Sequence, residues 1–323
     1  MNATGRDGAV TDFSGLLRPP PLRPGDTIGV AAPAGPFDPE RFDFGRARLE
    51  AMGFPTVCPD QIYERDGFLA GRDEDRARTW NDLWSDPRIK AIFCARGGYG
   101  SMRILDLVDY ERVRADPKIV VGFSDLTALL LALHQTTGLV CFHGPVVTSL
   151  ADEEEDGLDH LTRLLTGLPV FPLEIDPDRV LMPGRTEGPL LGGNLTMLVH
   201  LMATPWLPDL SGAILFIEET GEAPYRVDRM LTTLRLAGLL ERCAGIVLGH
   251  FENCGDAEAL EGVLRGNLAG FHGPVAAGLP AGHGRPNLAL PLGPRAVLDT
   301  ELGLFGMVEN YLDSSPTQVG PAF

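Results

Sequence analysis

The sequence is short of positive charge: 27 lysines and arginines stand against 44 aspartates and glutamates, a net charge of -17. That balance argues against partners with anionic backbones or surfaces, so neither nucleic acid nor membrane is expected. It says little about a small substrate, whose site can carry local charge of either sign. Cysteine is scarce as well. Cys58, Cys94, Cys141, Cys243 and Cys254 are scattered, and no C-x-x-C pair exists to hold zinc or to run redox chemistry. Buried thiols in a reducing cytosol are expected instead. The opening residues hold no apolar core of signal-peptide length, and no segment approaches a membrane span, so a cytoplasmic location is expected. An H-E-x-x-H motif, clustered metal ligands and an internal repeat are all missing; no metal and no cofactor is expected.

What is present fits a globular chain of two domains: 323 residues, 44% of them hydrophobic and 22% charged. Residues 1–21, with Pro19-Pro20-Pro21, read as a flexible arm. Residues 22–150 alternate strands and helices. Apolar runs at 27–32, 54–58, 89–94, 119–121 and 139–142 read as strands. Asp38-Pro39 starts a helix reaching about Met52, and Ala77, Trp80 and Trp84 recur at helical spacing over 73–85. Strands separated by such helices imply a doubly wound parallel sheet, with ligands at the carboxyl ends of its strands. Residues 151–187 read as a linker with one short helix, and its acidic cluster, Asp152 to Asp156, as a solvated face. Residues 188–323 read as a second, mixed α/β unit that becomes β-rich toward its end. Strands are expected there at 213–217 and 245–248, a helix at 224–237, and late β segments at 287–292 and 303–308.

The chemistry concentrates at Gly122-Phe123-Ser124-Asp125, between the apolar run Ile119-Val120-Val121 and a helical run. A sharp strand-to-helix turn presents a serine hydroxyl beside helix N–H groups that have no intrahelical partner. Those N–H groups can hold an oxyanion. The bland alternative is a helix start capped by Ser124 or Asp125. A serine nucleophile needs a base and a group to orient it. Of seven histidines, His283 stands in a stretch of glycine and proline too irregular to pack, and is therefore displayed. Glu218 and Glu219 end an apolar strand, where a carboxylate needs a partner: a catalytic histidine, or Arg226 or Arg229. The loop Arg96-Gly97-Gly98-Tyr99-Gly100 follows a strand but lacks G-x-G-x-x-G spacing, Arg103 holding the last glycine's place, and it has no P-loop lysine. Its glycines allow close backbone approach, which assigns oxyanion donors to the N–H groups of Gly98 and Asp125.

These segments, with His143-Gly144-Pro145, Gly192-Gly193-Asn194-Leu195, Thr204-Pro205-Trp206, Phe216-Ile217-Glu218-Glu219, Pro224-Tyr225-Arg226-Val227-Asp228-Arg229-Met230, Gly282-His283-Gly284 and Leu290-Pro291-Leu292-Gly293, together resemble the LD-carboxypeptidase family. The microcin C resistance peptidases belong to the same family, and the likeness spans Leu22 to about Val308. It implies a Ser-His-Glu triad on Ser124, His283 and Glu218. The family's usual Glu-Asp is Glu218-Glu219 here, and the position of Pro224-Tyr225-Arg226 favours Glu218. An N-terminal flavodoxin-like domain, a smaller β-rich C-terminal domain and a homodimer are also implied. The implied substrate is a murein tetrapeptide losing its terminal D-alanine, or alternatively a peptidyl- or aminoacyl-nucleotide. Substrate-binding candidates are Arg96, Tyr99, His143, Asn194 and Arg226. For the two arginines, ion pairs with Asp125 or Glu222 are the structural alternative. A reading from another class is a non-catalytic protein binding a nucleotide or peptide at the sheet edge.

Overall fold

A computed structural model describes residues 15–313. The first half is a doubly wound unit. β1 (Thr27–Ala31), α1 (Pro39–Ala51), β2 (Thr56–Val57), α2 (Asp73–Ser85) and β3 (Ile89–Cys94) are followed by a 3-10 stretch at Ser101–Leu107. Then come α3 (Tyr110–Ala115), β4 (Ile119–Gly122), α4 (Thr127–Thr137), β5 (Cys141–His143), α5 (Val147–Leu150) and α6 (Glu155–Leu165). The parallel order β2-β1-β3-β4-β5 is the flavodoxin-like one. As predicted for its cap, Asp38 accepts the Arg41 N–H at 3.0 Å ahead of Pro39.

The second half carries β6 (Leu173–Glu174), β7 (Val180–Met182), β8 (Arg185–Asn194), α7 (Leu195–Leu201), β9 (Ile214–Thr220) and α8 (Pro224–Leu236). It continues through β10 (Gly245–Glu252), α9 (Ala257–Leu268), β11 (Val275–Ala277), β12 (Leu290–Leu292), β13 (Arg295–Asp299) and β14 (Leu304–Met307). Its sheet runs β6-β14-β13-β8-β9-β10-β11-β7, with β8 to β11 parallel and both flanks antiparallel.

Three features depart from the expected organisation. Residues 15–21 are not loose: Leu17 bridges Leu139, and the Arg18 guanidinium donates to the Asn310 carbonyl at 2.6 Å. The remainder of the expected arm, 1–14, lies outside the described residues. Within 151–187, α6 buries Leu158, Leu161 and Leu164 against the first sheet, and β6 and β7 are strands of the second. The late β segment expected at 287–292 is β12, and it pairs antiparallel with β5 in the first sheet rather than the second.

α4 explains how the halves meet. Its residues Ala128 to Leu133 are all fully buried, as a helix apolar on every side must be. One side packs on the first sheet and another on β8 and α7, so one apolar core runs through both halves. The strand ends of both sheets are thereby brought to one place.

Candidate active site

Ser124 begins the turn after β4 with φ 65°, the left-handed region that a non-glycine residue enters at a cost of about 1–3 kcal/mol. The surroundings hold it there. Asp125, buried beneath, accepts the Ser101 N–H at 2.8 Å, and the Ser101 hydroxyl donates to the Asp125 carbonyl at 2.7 Å. Gly97, at the end of β3, lies so close that a Cβ on it would stand 2.9 Å from Ser124 Cβ and 3.1 Å from Oγ. Only a glycine permits that approach.

Glu218 points from β9, and its strand partner in β8 is Asn194. His283 stands on the loop between β11 and β12. His283 Nε2 lies 3.1 Å from Ser124 Oγ, and Nδ1 lies 2.5 Å from Glu218 Oε2. An ionised carboxylate can only accept, so Nδ1 donates to it, and in the neutral form of the ring Nε2 is left to accept from the serine hydroxyl. Burial by itself would push the Glu218 carboxyl up; the neighbouring imidazoles of His143 and His283 outweigh it and hold it at about 2. The carboxylate is therefore ionised wherever the protein is folded at ordinary pH. Phe123 covers the site, its ring 4.7 Å from that of His283. Hydroxyl, imidazole and buried carboxylate in this order can activate the hydroxyl for attack on an acyl carbon.

The His283 loop is braced from below. The Gly282 N–H donates to Asn287 Oδ1 at 2.8 Å, and the Asn287 N–H donates to Glu153 Oε1 at 3.1 Å. Glu153 belongs to the acidic cluster expected to be a solvated face, but it is buried, and burial raises its carboxyl above the ordinary value. Sequence reading missed Glu153 and Asn287. One faint signal was available: Gly157, one helical turn on, leaves the room that Glu153 fills, since a Cβ there would stand 2.4 Å from Glu153 Oε1.

The remaining candidates divide. Arg96, Gly98 and Tyr99 are exposed, and the Arg96 guanidinium lies 3.7 Å from where a Gly98 Cβ would be. Arg96 donates to the neutral Pro36 carbonyl at 2.5 Å, not to Asp125. Tyr99 packs edge-on against Phe68, ring centres 5.2 Å apart. Arg226 is paired with Glu222 at 3.3 Å on the exposed start of α8, the structural alternative. Asn194 and His143 are buried, which removes the ground for direct substrate contact. Asn194 caps α7 and donates to Glu219 Oε1 at 2.9 Å. Glu219 also accepts from the Thr196 N–H, the Thr196 hydroxyl and the Thr220 N–H. Of the two adjacent glutamates, Glu218 thus faces His283 and Glu219 anchors the start of α7. A cleft of about 900 Å³ opens elsewhere, at the ends of β10 and β11, and its lining includes none of Ser124, Glu218 and His283. Among the described residues no cluster of three or more His, Cys, Asp or Glu is arranged to hold a metal ion.

Comparison with known proteins shows what the chain is similar to. Residues 28–144 match the LD-carboxypeptidase N-terminal domain and residues 187–298 the LD-carboxypeptidase C-terminal domain. A Bacillus subtilis (strain 168) protein named a probable murein peptide carboxypeptidase is 37% identical, the match covering 89% of this chain and 93% of that one. The crystal structure of muramoyltetrapeptide carboxypeptidase from Oxalobacter formigenes is similar at TM-score 0.80 and 32% identity, covering 89% of this chain and 100% of that one. The structure of MccF in complex with glutamyl sulfamoyl guanosine is similar at TM-score 0.84 and 29% identity, covering 92% of this chain and 100% of that one.

Proposed function

Because the chain belongs to the LD-carboxypeptidase family and is a serine-type carboxypeptidase, we propose that it removes the terminal D-alanine of a murein tetrapeptide through Ser124, His283 and Glu218. The observation that carries this reading is the unbroken contact from the Ser124 hydroxyl through His283 to the Glu218 carboxylate. His283 Nε2 takes the hydroxyl proton as Oγ bonds to the carbonyl carbon, whose π electrons move to oxygen. The N–H groups of Gly98 and Asp125 are assigned to that oxyanion. His283 then passes the proton to the leaving amine as the C–N bond breaks, which leaves an acyl group on Ser124. Water, deprotonated by the same nitrogen, releases the acid and restores the hydroxyl. Glu218 stays ionised throughout and stabilises the imidazolium.

A carboxypeptidase must meet a free carboxylate, which a guanidinium matches with two parallel N–H bonds. Arg96 is better suited than Arg226. It lies beside Gly98, one residue from the glycine that touches Ser124, and has no ion pair among the described residues. Five cysteines without disulfides fit a reducing compartment, so we place the enzyme in the cytoplasm. The homodimer implied by the family resemblance is tested by light scattering. The likeness to MccF bound to a sulfamoyl nucleotide favours a second reading, cleavage of an aminoacyl- or peptidyl-nucleotide amide.

The deciding experiment offers pure protein three substrates: a murein tetrapeptide, the same peptide with its D-alanine amidated, and an aminoacyl sulfamoyl adenosine. Cleavage of the free acid alone is expected, and Ser124→Ala should abolish it. Equal turnover of acid and amide would exclude carboxypeptidase specificity and promote the nucleotide reading. Full activity in Ser124→Ala would remove the triad itself.

A further inference from the structure

His143 ends β5 directly beside Gly122 of β4, so its ring leaves the sheet next to the turn that carries Ser124. The ring is wholly buried, with Phe123 and Phe216 edge-on at 5.9 and 4.9 Å between centres. Neither ring nitrogen has a hydrogen-bond partner, and neither does Glu218 Oε1. Leaving a buried polar group unpaired costs about 1–3 kcal/mol, and such groups, rare in folded proteins, call for an explanation. Here the unpaired atoms face each other: His143 Nε2 lies 3.9 Å from Glu218 Oε1, both side chains at 0% exposure. The other carboxylate oxygen is the one bonded to His283.

We infer that His143 is a positioning residue for Glu218, its Nε2–H held opposite the free carboxylate oxygen so that the carboxylate plane stays fixed while His283 gains and loses its proton. The inference rests on the triad reading above. A carboxylate held by one oxygen can swing about its terminal bonds and carry Oε2 off the Nδ1–H axis. A second donor on the opposite oxygen removes that freedom. At 3.9 Å the pair is beyond hydrogen-bond reach and acts by its dipole; a small closure brings it within reach when the imidazolium forms. His143 keeps its own proton throughout, so no bond is made or broken at it. Phe123 and Phe216 exclude water from the gap, which strengthens the interaction. The competing explanation is packing alone, a ring that fills space between two phenylalanines.

Two substitutions separate these. His143→Phe keeps a ring of similar shape and removes the donor, whereas His143→Gln places an amide N–H near the position of Nε2. The phenylalanine variant is expected to lose about 10- to 100-fold in kcat with KM nearly unchanged, since misplacement of about 1 Å has that scale of effect. The glutamine variant should recover to within about fivefold of the parent. The deshielded Nδ1–H proton resonance of His283 should shift or broaden in the first and return in the second. If His143→Phe fails to fold, His143→Asn replaces it, its amide standing at the Nδ1 position and out of reach of Oε1. Unchanged kcat in His143→Phe overturns the inference, as does glutamine no better than phenylalanine at equal thermal midpoints. Ser124→Ala run alongside keeps the two readings distinct, because its retained activity would sink the triad whatever the His143 variants do.

Discussion

Replacing Gly282 with alanine puts the triad geometry under direct load. Gly282 has φ 107°, a conformation that L side chains rarely adopt. A Cβ added there would stand 2.7 Å from Glu218 Oε2 and 2.8 Å from Glu218 Cβ. Ordinary contact begins at 3.4 Å, so 3.4 − 2.7 leaves about 0.7 Å that the glutamate or the loop must concede. Oε2 is the oxygen bonded to His283 Nδ1, and the alanine's own residue neighbour is His283. Either concession moves the imidazole relative to Ser124. With about 1 Å of misplacement worth ~100-fold in rate, kcat should fall by about 10- to 100-fold. Backbone strain of about 1–3 kcal/mol should lower the thermal midpoint by several degrees. The assay is the initial rate of D-alanine release from a murein tetrapeptide, read beside melting curves of the same preparations. A Gly282→Ala protein with full kcat and an unshifted midpoint would refute the reasoning. It would show that the loop relaxes freely and that the short His283–Glu218 contact does not set the rate.

Gly266→Ala is the matched opposite: exposed in α9 with nothing within 4 Å of the new methyl, it should raise stability by up to about 1 kcal/mol in chemical denaturation and leave turnover alone. Glu218→Gln should cut kcat by ~100-fold or more per folded molecule, because the amide no longer fixes the Nδ1–H tautomer. Glu219→Gln should do the reverse, costing about 2–4 kcal/mol in urea unfolding as its donors lose a charged acceptor, with activity per folded molecule retained. Glu153 supplies a pH test. Its folded carboxyl is raised above the ordinary 4.5, so the folded state binds that proton more tightly than the unfolded chain does. Ionisation of Glu153 therefore weakens the fold as pH climbs through its raised pKa. The neutral Glu153→Gln should hold its midpoint better than the parent as pH rises above the ordinary 4.5, as followed by calorimetry; an identical decline in both would count against the assignment.

The turn at Gly122 to Asp125 was legible because its parts are local: an apolar strand, a residue forced to turn, and an apolar helix. His283 was legible for the opposite reason, since so many glycines and prolines around it deny it any regular packing. What stayed hidden is decided across the chain. Consecutive strand residues point to opposite faces. Alternation alone therefore leaves Glu218 and Glu219 undecided, and only the position of Pro224-Tyr225-Arg226 in the family resemblance favoured Glu218. The same alternation turned His143 inward, though its motif position suggested a ligand contact. Glu153 sits among four other acids and differs from them only in what folds over it. Leu290-Pro291-Leu292 reads as β, but its three residues carry no mark of belonging to the first sheet. The exposed Arg96 could not be placed from sequence either, because its acceptor, the Pro36 carbonyl, comes from a different loop.

That borrowed strand has a consequence for the order of events during synthesis. Ser124, Glu218 and His283 leave the ribosome in sequence, and the strand that completes the first sheet follows His283 by seven residues. Until then the serine-bearing sheet ends at β5 with an open edge, and the hydroxyl has neither its base nor its orienting acid. Pairing between residues this far apart comes late in folding. On the proposed triad, a growing chain therefore carries an inert serine until β12 and the His283 loop before it have been made. On the triad proposed above, the half-finished chain lacks both the base and the acid that a stray hydrolase would need.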